Sequence, residues 1–236
     1  MGFPVWGSDV GGYLGGRIPE TLYARWIEFG SWCGLYETKI DNAGGKGKDR
    51  PPWKYSSELQ KIYREACERR MELLPYIFSV ANTSYKNGVV MKPLSYEYPS
   101  DKNTYRIWNE YLFGNAFLVV PIYDSSNTRE IYLPEGEWYD FYDYNQSFKG
   151  GRIIKVDMPL GKIPVFIKSN SIYILGNIYS GNSKLWDQAH AKEKSINIFA
   201  FPGKIGDKDQ FNYIDYQDGE KEKVIRLSQI KLKLNS

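Results

Sequence analysis

Gly2-Phe3-Pro4-Val5-Trp6-Gly7-Ser8-Asp9-Val10-Gly11-Gly12-Tyr13 is the stretch on which the reading of this sequence turns. A short apolar run reaches Asp9 and then two glycines, the pattern of a buried strand that delivers an acidic side chain at its C-terminal end. The glycines after the acid let backbone pass close to a ligand, and the C-terminal rim of parallel strands is where such ligands sit. Spacing alone leaves two roles open for Asp9: a pocket acid, or a residue that caps the following turn through its own backbone hydrogen bonds. A strand of this kind needs neighbours on both sides, and none precedes Gly2, so further chain is expected upstream.

Working outward, Pro19 and Glu20 open a helix that runs to about Gly30, with Leu22, Trp26 and Phe29 as its buried stripe. From Thr38 to Tyr55 the chain turns to Gly, Lys, Asp and Pro, which reads as a long exposed loop. A second helix spans about Ser57 to Tyr85, where Leu59, Ile62, Tyr63, Ala66, Leu73, Ile77 and Phe78 recur at helical spacing. Ser57 is its expected N-cap and Gly88 its stop, and Pro75 should kink it or divide it in two.

Beyond Gly88 the period changes to two. Short strands are expected at Met91 to Tyr98, Phe117 to Ile122, Glu130 to Leu133, Trp138 to Tyr142, Ile153 to Val156 and Val165 to Ile167. A further set follows at Ile196 to Phe201, Phe211 to Tyr216 and Val224 to Leu234, after a Gly/Asn/Ser stretch from Gly176 to Ser183 that reads as a linker. The fold class is therefore α/β plus all-β, with an antiparallel sandwich or barrel after the helices.

Composition excludes several functions. The 31 basic and 28 acidic residues leave a net charge of +3, which gives no reason to expect nucleic acid or a membrane surface as partner. Cys33 and Cys67 stand in no ligand-like spacing, and His190 is the only histidine, so a disulfide framework, a zinc site, a Ser-His-Asp triad and a Cys-His pair all lack parts. No phosphate-binding glycine loop is present and no cofactor or metal is implied. The sequence has neither a signal peptide pattern nor an apolar run of membrane-spanning length, from which a cytoplasmic location is expected. Carboxylate chemistry is what remains. Twenty Tyr and seven Trp suit sugar stacking, though half-buried strands account for most of them.

The Asp9 segment resembles the Gly-x-Pro-x-x-Gly-x-Asp-x-x-Gly-Phe block of glycoside hydrolase family 31, the α-glucosidase and α-xylosidase type. Glu20-Thr21-Leu22-Tyr23-Ala24-Arg25-Trp26-Ile27-Glu28-Phe29-Gly30, Arg50-Pro51-Pro52-Trp53 and Leu74-Pro75-Tyr76-Ile77 are similar to later blocks of that family in the same order. So are Lys92-Pro93-Leu94, Phe113-Gly114-Asn115-Ala116-Phe117, Tyr132-Leu133-Pro134-Glu135-Gly136 and Ile163-Pro164-Val165-Phe166.

The resemblance implies the C-terminal part of a (β/α)8 barrel over residues 1–90, a proximal β-sandwich over 91–176 and part of a distal β-domain over 177–236. It implies a retaining α-glycosidase acting on α-glucosidic or α-xylosidic bonds in oligosaccharides, whose nucleophile and acid/base lie upstream, so that none of the catalytic pair stands in this chain. An upstream polypeptide would complete the barrel. Asp9 matches a third pocket acid that holds the sugar, Tyr13 matches a pocket aromatic, and Trp6 of the same segment is a further candidate contact. Where many members carry Arg-x-His, this chain reads Glu37-Thr38-Lys39, which makes Glu37 either a sugar contact or a solvent-facing acid at a strand end. The competing reading is non-enzymatic: a β-sandwich module, sugar-binding or structural, attached to an incomplete barrel.

Overall fold

A computed structural model describes residues 5–13, 15–38, 49–87, 89–176, 196–215 and 221–228. Strand β1 (Asp9–Val10), helix α1 (Glu20–Ser31) and strand β2 (Glu37–Thr38) form a β-α-β unit with parallel strands. Helix α2 (Ser57–Glu72) packs against α1 and is followed by α3 (Leu74–Asn82) and the short α4 (Ser84–Asn87). The expected long helix is thus divided, and Pro75 sits in the first turn of α3, where its missing N–H has no helical partner to lose. The N-cap of α2 is Ser56, whose Oγ accepts from Leu59 N at 3.2 Å, not the expected Ser57. Gly88 lies outside the described residues.

Two expectations in the first helix and loop are corrected. Leu22 is exposed, and α1 buries Tyr23, Ala24 and Ile27 on one side and Arg25 and Glu28 on another. A single apolar stripe fails because α1 is gripped on two sides, by β1 and α2 and by loops of the β region. In the loop, Arg50 is fully buried and Tyr55 nearly so, while residues 39–48 lie outside the described set. Tyr23 donates from its phenol to Arg50 O at 2.6 Å, so this end of the loop is part of the core of the β-α-β unit.

The β region is built of antiparallel layers. Strands β3 (Met91–Pro93), β4 (Tyr111–Phe113), β5 (Phe117–Val119), β7 (Glu137–Asp140), β8 (Ser147–Lys149) and β10 (Val165–Lys168) form one sheet in the order β3-β4-β5-β10-β7-β8. Strands β6 (Thr128–Leu133) and β9 (Arg152–Asp157) form a pair that covers one face of it. Alternation explains both faces. Leu112, Leu118 and Phe166 meet Ile131, Leu133 and Ile154 of that pair, while Phe113, Phe117, Val165 and Ile167 point the other way, toward Trp32 and Tyr76.

That second face also meets β11 (Ser171–Gly176), β12 (Ile196–Phe201) and β13 (Lys208–Asp215), the last paired with β14 (Lys221–Ser228). Residues Leu94–Glu97 form a helical turn where strand was expected to continue, because Pro93 ends the pairing with β4. Strands β4, β8 and β11 were not foreseen. His190 and most of the expected linker lie outside the described residues. No helix among the described residues is long and apolar enough to cross a membrane.

Candidate functional site

The register of β1 and β2 sets Asp9 opposite Glu37 and Val10 opposite Thr38. Residues in register on neighbouring strands project to the same face, and consecutive residues to opposite faces. Val10 is fully buried against α1, so close that a Cβ added at Gly30 would lie 2.5 Å from its Cγ2. Thr38 Oγ1 lies 2.8 Å from the Tyr63 hydroxyl of α2. These two contacts mark the helix-covered face. Asp9 and Glu37 project to the other face, which in a (β/α)8 barrel is the interior. Both are half-buried. Strands in one sheet are about 4.8 Å apart, so the carboxylates stand side by side on one wall.

The segment around Asp9 is fixed from both directions. Before it, Ser8 Oγ accepts a hydrogen bond from the indole N–H of Trp26 at 2.8 Å, and Leu35 N donates to Trp6 O at 3.0 Å, extending the pairing toward the N-terminal side. After it, Gly12 N donates to Asp9 O at 2.8 Å and closes a tight turn. Asp9 therefore closes that turn with its main-chain carbonyl. Gly11 and Gly12 adopt φ of +84° and +82°, and a Cβ on Gly11 would come within 2.9 Å of the Arg50 side chain, so only glycine fits both the conformation and the space.

Tyr13 follows this turn and is 49% exposed; Trp6 precedes the acid and is 45% exposed. Trp6 shares the parity of Ser8 and Val10, so its candidacy rests on its exposure and not on strand alternation. Arg50, which the sequence left inside an exposed loop, donates to Gly16 O at 2.5 Å and Gly15 O at 3.4 Å and ties down the loop beyond Tyr13. The signals in the sequence for that role are the similarity of Arg50-Pro51-Pro52-Trp53 to a family block and the two prolines, which stiffen the chain where the arginine is held.

A second set of buried charges links α1 to the β region. Arg25 and Glu28, 4% and 1% exposed, are 3.0 Å apart. Arg25 also donates to Asn127 Oδ1 at 2.9 Å, Lys162 O at 3.1 Å and Met158 O at 3.2 Å, and Glu28 Oε1 accepts from Gly161 N at 2.5 Å. Burial pushes the Glu28 carboxyl up to about 7, against the pull of Arg25 and of the Gly161 N–H. Since α1 also supplies Trp26 to Ser8 and Gly30 to Val10, this clasp holds the strand that carries Asp9. Burial pushes the Cys33 thiol up to about 12, so it is an inert core thiol. Among the described residues no group of three His, Cys, Asp or Glu side chains could hold a metal ion.

A parallel β-α-β unit leading into antiparallel β layers fits the end of a (β/α)8 barrel followed by a β-sandwich. Residues 1–80 match the glycosyl hydrolases family 31 TIM-barrel domain and residues 87–174 the glycosyl hydrolase family 31 C-terminal domain. An alpha-xylosidase of Saccharolobus solfataricus is 31% identical over 233 residues, covering 93% of this chain and 30% of that protein. Mouse neutral alpha-glucosidase C is 35% identical over 175 residues, 72% of this chain and 19% of that protein. The solved structure of a Flavobacterium johnsoniae family 31 dextranase complexed with glucose superposes with a TM-score of 0.81 at 30% identity, over 96% of this chain and 28% of that one. This chain belongs to glycoside hydrolase family 31. It spans about 30% of the length of the xylosidase it matches.

Proposed function

We propose that this chain supplies one wall of the sugar pocket of a retaining α-glycosidase that acts on α-glucosidic or α-xylosidic bonds in oligosaccharides. The observation that carries this is the Asp9–Glu37 register on the face away from the helices. Side-by-side carboxylates accept hydrogen bonds from adjacent sugar hydroxyls, and Tyr13 and Trp6 offer apolar surface to the C–H face of the ring. Retaining hydrolysis needs two carboxyl groups about 5–5.5 Å apart on either side of the scissile bond, one as nucleophile and one as acid/base. Two acids on neighbouring strands share one wall and do not face each other across the barrel, which assigns Asp9 and Glu37 to binding. The nucleophile and acid/base come from polypeptide that completes the barrel.

The test is to titrate the purified chain with glucose, xylose and their short α-linked oligomers by NMR, and to assay it alone on aryl α-glucosides and α-xylosides. Sugar-dependent shifts lost in Asp9→Asn, with no cleavage by the chain alone, are expected. Cleavage by the chain alone that Asp9→Asn or Glu37→Gln abolishes would instead make these two the catalytic pair.

A further inference from the structure

The β region carries an aromatic platform that the pocket does not use. Trp108 is 79% exposed and its ring lies 5.5 Å from that of Tyr123, tilted by 33°. The register of the β4–β5 hairpin, with Tyr111 opposite Val119, explains the meeting: Trp108 and Asn109 enter β4 at the end where the chain leaving β5 reaches Tyr123. The platform therefore stands on the end of a sheet and not on a wandering loop.

Its underside is fixed by buried charge. The Arg129 guanidinium lies 4.3 Å from the Tyr123 ring centroid, and Arg129 is itself nine-tenths buried, with its Nε unpartnered among the described residues. Asn109 Nδ2 donates to the Tyr123 hydroxyl at 3.3 Å. Next to it, Glu110 turns inward and accepts from Tyr132 N at 3.0 Å, which anchors the segment to β6. Tyr123 is thus held in place from below and from the side, while the indole of Trp108 is left open.

We infer that Trp108 and Tyr123 form a second carbohydrate-binding surface, which takes linear α-linked gluco-oligosaccharide chains. A pyranose ring presents a C–H face that stacks on an indole and an edge of hydroxyls that needs hydrogen bonds. Trp108 supplies the first; Asn109, the Tyr123 hydroxyl and the exposed Asp124 carboxylate, next in sequence, supply the second. Exposed rings next in sequence to hydrogen-bonding side chains, Asn109 beside Trp108 and Asp124 beside Tyr123, are the combination that the C–H face and hydroxyl edge of a sugar need. Such a surface would hold a polymer on the β region while its end enters the pocket. The choice of α-glucan rests on the function proposed above.

Native electrophoresis of the full chain through gels that contain soluble starch or dextran, beside gels without polymer, tests this. Retardation in at least one polymer is expected. Trp108→Ala should weaken apparent affinity about tenfold, as loss of a central aromatic anchor does, and Asp9→Asn should leave the retardation in place. Tyr85→Ala, which removes an equally exposed ring elsewhere, is the control for nonspecific adhesion. No retardation, retardation that survives Trp108→Ala, or equal loss in Tyr85→Ala would each overturn the inference. Retardation lost only in Asp9→Asn would overturn it while supporting the pocket.

Discussion

Replacing Glu28 by Gln changes how stability depends on pH, by an amount that follows from its burial. The carboxyl is 1% exposed and is pushed from its ordinary 4.5 up to about 7. A carboxyl whose pKa is raised on folding adds stability that is complete below the unfolded value and is lost as pH rises through the folded one. Between about pH 5 and about pH 8 the charge on Glu28 therefore costs the wild type about 2.5 kcal/mol that the Gln variant does not lose, at about 1.4 kcal/mol per tenfold change in proton binding.

The comparison isolates this one group. Glu110, also pushed up to about 7 by burial, titrates in both proteins and cancels in the difference. Urea unfolding of wild type and Glu28→Gln at several pH values across that range gives the gap directly. The wild type's advantage should shrink, or its deficit grow, by about 2.5 kcal/mol as pH rises. A gap that stays flat, or moves toward the wild type, would refute the reasoning, because it would mean that Arg25 and the Gly161 N–H outweigh desolvation and that the clasp is a fully compensated ion pair.

Two further outcomes test the core. Gly114→Ala should cost about 3 kcal/mol or more, read from the urea midpoint, since Gly114 sits at φ +61° and a Cβ there would lie 2.1 Å from the Tyr76 hydroxyl. That hydroxyl donates to Phe113 O and accepts from Asn115 N and Ala116 N, so its displacement would undo three hydrogen bonds between α3 and the β4–β5 hairpin. Cys33 in the folded chain should alkylate about a thousandfold more slowly near neutral pH than in the unfolded chain, because burial pushes its thiol from 9.0 up to about 12. Mass spectrometry after iodoacetamide treatment reads this, and labelling at the unfolded rate would contradict the packing of Trp32 and Cys33.

Much of the fold was legible where a local rule decides it. Pro75 announced the break between α2 and α3, and period-two alternation located most strands of the six-stranded sheet and of its covering pair. What was missed depends on contacts distant in sequence. Strand β11 was missed because it is apolar and buried nearly throughout and has no solvent face to alternate with. The stripe on α1 was misjudged for a related reason: Arg25 and Glu28 look like a solvated pair until the loops at Asn127, Met158 and Gly161 are folded onto them.

The candidate site divides along the same line. An acid at the end of an apolar strand is what twelve residues suggest, whereas Asp9 opens the two-residue strand β1, and its relation to Glu37 is a matter of register between strands separated by a whole helix. Register here is fixed by what the opposite face buries. Val10 is held by Gly30, Thr38 by Tyr63, and α1 is held in turn by Arg25 and Glu28 reaching into the β region. A one-residue slip of β1 would carry Asp9 into the helix layer and Val10 onto the other face, placing a carboxylate in an apolar core. The β layers thus contribute to the geometry of the acids although they stand in a different part of the chain. Weakening the clasp should therefore disturb the sugar binding proposed for Asp9 as well as stability.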